Sequence, residues 1–439
     1  MANQTGDICA VGYATAMTQD NAILVEIDGK PQRVKLSDFS NVIQQEGTIL
    51  NQIAWAIPLK ETSNTAWGVI GNTLLRDAYE AKCGRYFMKN DGSACKLKTV
   101  GTGDASAGTV IAADGTVLDQ TTGHIMHIAP RLYYLFKTID GDPYVWLSEL
   151  PISKHCLETA DGYVVQGAFP AYIGTVAGTA SCLTSRMGVV PSNSQQITTF
   201  FARAQNNGSF WGLTNYDVYR WRWLFGVGHY GNTNIQAQLG NGVCGTGSTW
   251  DLGAQTETTG KTAALGDSFG SVALSFGTSA CHVNLGGIED CYGLRWEMLQ
   301  GIFFGNSGNT DQTGSEVFLY EGNRMPTSTE LASHPAGNYR QVTRPTSGSG
   351  SYYTKMLLGD NFDLIPANSS GGGSSSYYSD AWWANTTGQL CLVGGAANLG
   401  LACGLAFVSS NNAFSDSNAY FGSRLAYYGK VTFKDGKNM

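Results

Sequence analysis

The chain has 439 residues, 14% of them charged against roughly a quarter in ordinary soluble domains, together with 56 glycines and 11% aromatic residues. Its formal net charge of -7 and the lack of any Lys/Arg block remove the electrostatic basis for nucleic-acid binding. The length allows two or three domains with cores of their own, and the low charge suits a β- and loop-rich extracellular or virion protein.

The amino terminus, Met1-Ala2-Asn3-Gln4-Thr5-Gly6-Asp7, offers neither a basic segment nor an apolar stretch, so no signal peptide is expected in this sequence. No apolar run approaches the ~20 residues of a membrane-spanning helix, and a soluble protein without membrane insertion is expected. The ten cysteines are spread without a CxxC pair, which favours buried free thiols over zinc knuckles or a compact disulfide framework.

Three Asp-Gly pairs read as β-hairpin turns, because glycine accepts the positive φ that a type I′ turn demands. Asp28-Gly29 follows Ile23 to Ile27, Asp114-Gly115 follows Thr109 to Ile111, and Asp140-Gly141 separates Leu132 to Ile139 from Tyr144 to Leu147. Residues 1–161 therefore form a β-rich module for attachment or oligomerisation, with one short helix over Thr73 to Lys82 ending at Gly84. A boundary is expected near Asp161-Gly162, and residues 162–439 form a second, mixed domain. It begins with two helices. Ser192-x-x-Gln195 reads as a capping box before the apolar stripe Ile197, Phe200, Phe201 and Ala204. Thr214-x-x-Asp217 caps an aromatic helix from Val218 to Phe225, which Gly226 is expected to end. Short strands follow, among them Cys291 to Phe304, between Gly/Ser-rich loops, with no repeat of fixed period.

Between Ala396 and Phe421 the chain contains Tyr, Phe, Ser, Asn, Ala and Gly but no Lys, Glu, Gln, Met or Trp. Rigid aromatics mixed with small polar groups are the composition of antibody contact loops.

Four segments give the chain a family resemblance. Phe200-Phe201-Ala202-Arg203 to Gly208, followed by Leu213-Thr214-Asn215-Tyr216-Asp217-Val218-Tyr219, resembles a helix, an "LPNY" turn and a second helix, with Thr214 in place of Pro. Gly293-Leu294-Arg295-Trp296-Glu297-Met298 resembles a "G-x-x-W-x-W" strand, with Met298 in place of the second Trp. Gly394-Gly395, with Gly422 and Arg424 downstream, is similar to the frame of a carboxy-terminal variable region spanning about 392–425. Together they resemble the variable proteins of diversity-generating retroelements. That resemblance implies an α+β chain whose carboxy-terminal domain has a C-type-lectin-like (formylglycine-generating-enzyme-like) fold. Adenine-directed mutagenesis of Asn codons ending in a pyrimidine never yields Lys, Glu, Gln, Met or Trp in that family, and these five are among the types absent here.

Carried over by position, the resemblance implies that Ala396, Asn398, Leu399, Leu401, Cys403, Phe407, Ser409, Asn411, Asp416, Asn418, Tyr420 and Phe421 are variable and face a ligand. Ala397 stands where the family tends to have Trp, and Gly394, Gly395, Gly422 and Arg424 are scaffold. The implied function is non-enzymatic: a phage tail-fibre protein that sets tropism, binds a host surface protein or glycan, meets other virion proteins and forms a homotrimer. The alternative is a bacterially encoded variable surface adhesin.

Other chemistry is weaker. Gly266-Asp267-Ser268-Phe269-Gly270 matches a nucleophile-elbow pattern, which would make the chain a fibre-borne hydrolase, but its flanks do not read as strand and helix. His124 and His127 fall on opposite faces of a strand, so structural roles are expected, and neither a metal nor a cofactor is. Cys391 and Cys403 stand too far apart in sequence for the reactive pair of a formylglycine-generating enzyme. Near the carboxy terminus there is no acidic-Pro-Asn set for calcium-dependent sugar binding, and Trp382-Trp383 reads as core before it reads as a sugar platform.

Overall fold

The computed structural model describes residues 22–27, 30–35, 47–59, 68–99, 103–104, 108–139, 142–157, 167–178, 181–244, 256–274, 280–305, 316–333, 339–343, 351–358, 361–368, 372–374, 378–384 and 389–439. Strands outnumber helices in a mixed fold. The strands of the three expected hairpins pair with one another. Ala22–Ile27 pairs antiparallel with Lys30–Lys35, and Leu132–Ile139 pairs with Asp142–Ser148, although the connecting Asp28-Gly29 and Asp140-Gly141 lie outside the described residues. At the third hairpin Gly115 takes φ +87° but Asp114 does not take positive φ, so the turn is not the expected type I′: Gly115 N donates to Ala112 O, and Asp114 Oδ1 accepts the Thr116 N–H.

Helix Thr73–Lys82 has the expected bounds, with the Asn72 side chain accepting from Leu75 N at its start. The two later helices begin differently from the sequence expectation. Ile197–Gln205 has no side-chain cap, because Ser192 Oγ accepts from Val176 N instead. Tyr216–Tyr230 is capped by Asn215, whose side chain accepts from Val218 N, while Thr214 is buried and donates through N–H and hydroxyl to the Arg424 carbonyl. Nor does Gly226 end the second helix, which continues to Gly231 in the left-handed conformation. Gly226 is there for space: a Cβ at that position would come within 2.8 Å of Leu405 Cδ1.

That helix organises the core. Trp221, Trp223, Leu224, Phe225 and Val227 are all buried on it, so it is apolar around most of its circumference, as a helix enclosed on several sides must be. On one side lie Trp55, Ile57, Tyr79 and Leu147; on another lie Leu285, Trp382, Leu405 and Val408. Trp221 Nε1 donates to Tyr79 Oη at 2.8 Å, which satisfies a buried indole N–H.

The boundary expected near Asp161 does not separate two cores. Asp161 and Gly162 lie outside the described residues, but the segments on either side share sheets. Phe169–Pro170 and Thr432–Phe433 form the two edges of a five-stranded sheet whose inner strands are His124–Ile128, Gly84–Met88 and Ser93–Lys96. Residues 47–157 are thus built into the same body as the carboxy-terminal half, because neither half alone covers the central helix.

A larger sheet carries the carboxy-terminal segment. Its order is Arg340–Thr343, Glu316–Leu319, Trp296–Phe304, Leu390–Val393, Val408–Ser410, Ala381–Ala384 and Ser351–Tyr352, with Phe421–Gly422 running parallel to the start of Trp296–Phe304. Gly301 at φ +84° marks the irregularity between Met298 and Phe303, where the register with Leu390–Val393 shifts. Met298, which stands in place of the second Trp of the resembled strand motif, is fully buried.

Candidate functional face

After strand Leu390–Val393 the chain turns through Gly394 and Gly395 at φ +80° and +77°, a region side chains with Cβ rarely enter. A Cβ on Gly395 would also sit 2.6 Å from Cys403 Sγ. The segment then coils as 3-10 turns over Ala397–Ala402 and makes a second tight pass at Gly404, where a Cβ would collide with the Asp380 carboxylate. Asp380 accepts from Ala406 N at 2.7 Å; burial raises its carboxyl well above the ordinary range, and that hydrogen bond and one from Ser379 oppose the rise.

Below this turn is a buried ionic network. Glu297 Oε2 accepts from Arg222 Nη1 at 2.6 Å and from Arg424 Nε at 3.2 Å, and Arg424 Nη2 donates to the carbonyls of Glu289 and Asp290 at 2.7 and 2.6 Å. All three side chains are almost completely enclosed. Arg424 therefore ties the link between strands Phe421–Gly422 and Leu425–Tyr427 to the central helix through Glu297 and Arg222, and to the Glu289–Asp290 backbone. Beside it, His282 Nδ1 lies 2.7 Å from Asp290 Oδ2 and Nε2 lies 3.3 Å from Glu257 Oε2. Burial opposes charge on His282, but the Asp290 carboxylate, its hydrogen bond and the charges of Glu289 and Glu257 prevail, raising the imidazole to about 9.

The twelve residues implied as ligand-facing divide sharply. Ala396, Cys403, Phe407, Ser409 and Phe421 are buried, each at 0% exposure, and cannot touch a macromolecular ligand. For Ala396, Cys403 and Phe407 the reason is the path, a coil of 3-10 turns and glycine bends that does not alternate faces as a strand would, whereas Ser409 and Phe421 lie on the short strands Val408–Ser410 and Phe421–Gly422, which are buried at every position. Asn398 and Asn418 are exposed, and Leu399, Leu401, Asn411, Asp416 and Tyr420 are half-buried. Two of these are occupied locally: Asp416 Oδ2 accepts from Ala413 N and Asn412 Nδ2, and Asn418 Oδ1 accepts from Tyr420 N.

The surface that does form is aromatic and includes residues outside the segment. Trp383, Phe407, Trp296 and Phe421 make a row across the sheet with successive ring centroids 5.3, 6.3 and 5.5 Å apart. Phe407 and Phe421 are buried; Trp296 and Trp383 keep part of their area in solvent. Tyr352 and Leu399 pack on the Phe407 end, while Tyr420 packs near Trp296 on the other side, its carbonyl accepting the Trp296 N–H at 3.0 Å. Arg295 Nη1 holds the adjacent loop through the Ala419 carbonyl. Trp382 is core, whereas its neighbour Trp383 points the opposite way, as adjacent residues on a strand do. Alternation on the short strand Ala381–Ala384 is the signal that separates the two indoles.

The other sequence candidates fall elsewhere. His124 packs at a tilt against Trp211 and His127 stacks on Phe169, on opposite faces of their strand, and burial lowers both imidazoles to about 3. Among the described residues no group of His, Cys, Asp and Glu is arranged to hold a metal ion, and none of the nine described cysteines is in a disulfide. Around Ser268 a 3-10 turn precedes and strand Gly270–Ala273 follows, the reverse of the strand-then-helix order of a nucleophile elbow. No described helix is long and apolar enough to cross a membrane. Neither a protein-family model nor a curated protein matches the chain.

Proposed function

We propose that this chain is a receptor-binding protein that displays a ligand-contact face on a C-type-lectin-like fold formed by its carboxy-terminal half, as the tropism-determining protein at a phage tail-fibre tip does. The face is centred on Trp296, Trp383, Leu399 and Tyr420 and rimmed by Asn398, Leu401 and Asn418. Its ligand is a host cell-surface protein or glycan. One observation supports this reading above the others: the aromatic row is held rigid by two buried phenylalanines while its two tryptophans reach solvent. Rigid aromatics bury large apolar area on contact with little loss of conformational freedom, which suits them to be interface anchors. The frame of Gly394, Gly395, Gly404 and Arg424 supports the fold without reaching the ligand, leaving neighbouring rim positions free to change. Binding through one such face is weak, and a homotrimer would multiply it.

The test is binding of the purified protein to host cells. Trp383→Ala together with Tyr420→Ala is expected to reduce it at least tenfold while the melting curve stays cooperative; undiminished binding by a folded double variant would sink the reading. A genomic observation is independent of the protein: a near-copy of the codons for Gly394 to Arg424, differing at adenines, beside a reverse-transcriptase gene.

A further inference from the structure

A cavity of about 390 Å³ lies far from the carboxy-terminal segment in sequence, lined by Asn90, Thr121–His124, Ala177–Gly178, Cys182, Thr184, Arg186 and Asn207. That volume is in the range of small-molecule sites. Among the described residues no carboxylate is in the lining, and its one formal charge is Arg186.

The hydrogen bonds already made decide what the walls still offer. Arg186 Nη2 donates to Thr121 O at 2.7 Å and Nε to Gly123 O at 3.4 Å, which pins the guanidinium and leaves Nη1 for a ligand. Among the described residues it has no ion-pair partner: Asp119, nearby, gives its carboxylate to the Thr121 N–H at 2.8 Å. Burial disfavours the charge on this half-buried guanidinium and the Asp119 carboxylate favours it from a distance without a direct ion pair, so an anion placed on Nη1 would stabilise it further. Asn90 Oδ1 is taken by His124 Nε2 at 2.9 Å, so its amide N–H groups are the open donors. Asn207 is the converse. Its amide nitrogen donates to Leu183 O and Ala204 O, and its Oδ1 is the open acceptor. Thr122 and Thr184 donate their hydroxyl protons to Asp119 O and Thr175 O, and so present lone pairs. Thr184 and Asn207 are more than nine-tenths buried, so this is a constructed wall and not a loose surface.

A bare anion uses only the donors; a neutral sugar leaves Arg186 Nη1 without a directly bonded anion. A ligand that bears a carboxylate and also ring hydroxyls able both to donate and to accept satisfies the whole set. We infer that this cavity binds an acidic sugar, with its carboxylate on Arg186 and its hydroxyls shared among Asn90, Asn207, Thr122 and Thr184. It is a second ligand site, separate from the aromatic face and built from positions outside residues 392–425, and it does not rest on the function proposed above.

Isothermal titration and saturation-transfer NMR of the full chain test it, with glucuronate, galacturonate and N-acetylneuraminate as acidic sugars and glucose, acetate and inorganic phosphate as controls. At least one acidic sugar is expected to bind at least tenfold more tightly than any control, with that binding reduced at least tenfold in Arg186→Gln and largely kept in Arg186→Lys. Unchanged melting of Arg186→Gln guards against reading misfolding as lost binding. The inference is overturned if no acidic sugar binds, if acetate or phosphate binds as tightly, or if folded Arg186→Gln binds like the parent. Trp383→Ala with Tyr420→Ala should leave this titration untouched, so the two sites fail or succeed separately.

Discussion

The two arms of the carboxy-terminal segment share a composition and differ in what they do with it. From Ala396 to Ser410 small and aromatic residues are used for close packing: Ala396, Ala397, Cys403, Ala406 and Phe407 are buried, and Gly395 and Gly404 pass within collision distance of Cys403 and Asp380. From Asn411 to Tyr420 similar residues lie at the surface, with Ser415, Ser417 and Asn418 exposed and Phe414 alone enclosed. A paratope-like composition therefore has two physical origins, tight backbone approach and solvent display, and only the path of the chain tells them apart.

The sharpest way to break this comparison is to damage the packed arm's anchor. Arg424→Ala leaves Glu297 with one cationic partner instead of two and frees two backbone carbonyls. It is expected to cost about 3–5 kcal/mol, seen as a large fall in the midpoint of urea unfolding. Phe407→Ala removes the ring between Trp296 and Trp383 and should cost about 3–5 kcal/mol, with loss of binding as the row collapses. If Phe407→Ala instead melted like the parent, the packed arm would not be part of the core.

A pH series probes the base of the frame. His282 is raised to about 9 in the fold, against an unfolded value near 6.5, so the folded state binds the proton more tightly. Its contribution, on the order of 3 kcal/mol, is complete below pH ~6.5 and disappears as pH rises through 9. His124 and His127 act in the opposite sense: held to about 3 by burial, they stay neutral in the fold, so acid below ~6.5 favours the unfolded chain. Unfolding free energy should therefore fall on both sides of roughly pH 6.5, and His282→Gln should flatten the alkaline side; an unchanged alkaline slope would remove the assignment.

Smaller effects sharpen the contrast. Gly395→Ala forces a positive φ and a close sulfur contact, at about 1–3 kcal/mol. Asn398→Ser and Ser417→Ala, at exposed positions, should change unfolding free energy by less than about 0.5 kcal/mol. Circular dichroism melts of these three variants measure the difference between frame and rim directly.

Much of the local structure was legible because it is decided locally. The hairpin strand pairings, the Thr73–Lys82 helix and the separation of His124 from His127 follow from glycine's place at turns and from side-chain periodicity of 3.6 and 2. Helix ends were less so. Ser192 and Thr214 have capping chemistry, but Val176 and Arg424 engage them first, and Gly226 serves packing against Leu405 where a helix stop was expected.

The sequence by itself determined which residues permit the carboxy-terminal turns, since only glycine fits the backbone at Gly394 and Gly395 and their doublet is visible in the letters. Tertiary structure alone decided which side chains face out. Trp296, Trp383 and Tyr352 come to the face from three distant strands, while Phe407 and Phe421 are drawn beneath them. The physical reason is that burial belongs to the assembled sheet. A phenylalanine between two tryptophans is core wherever the row forms, and no spacing within one segment records who its neighbours across the sheet will be.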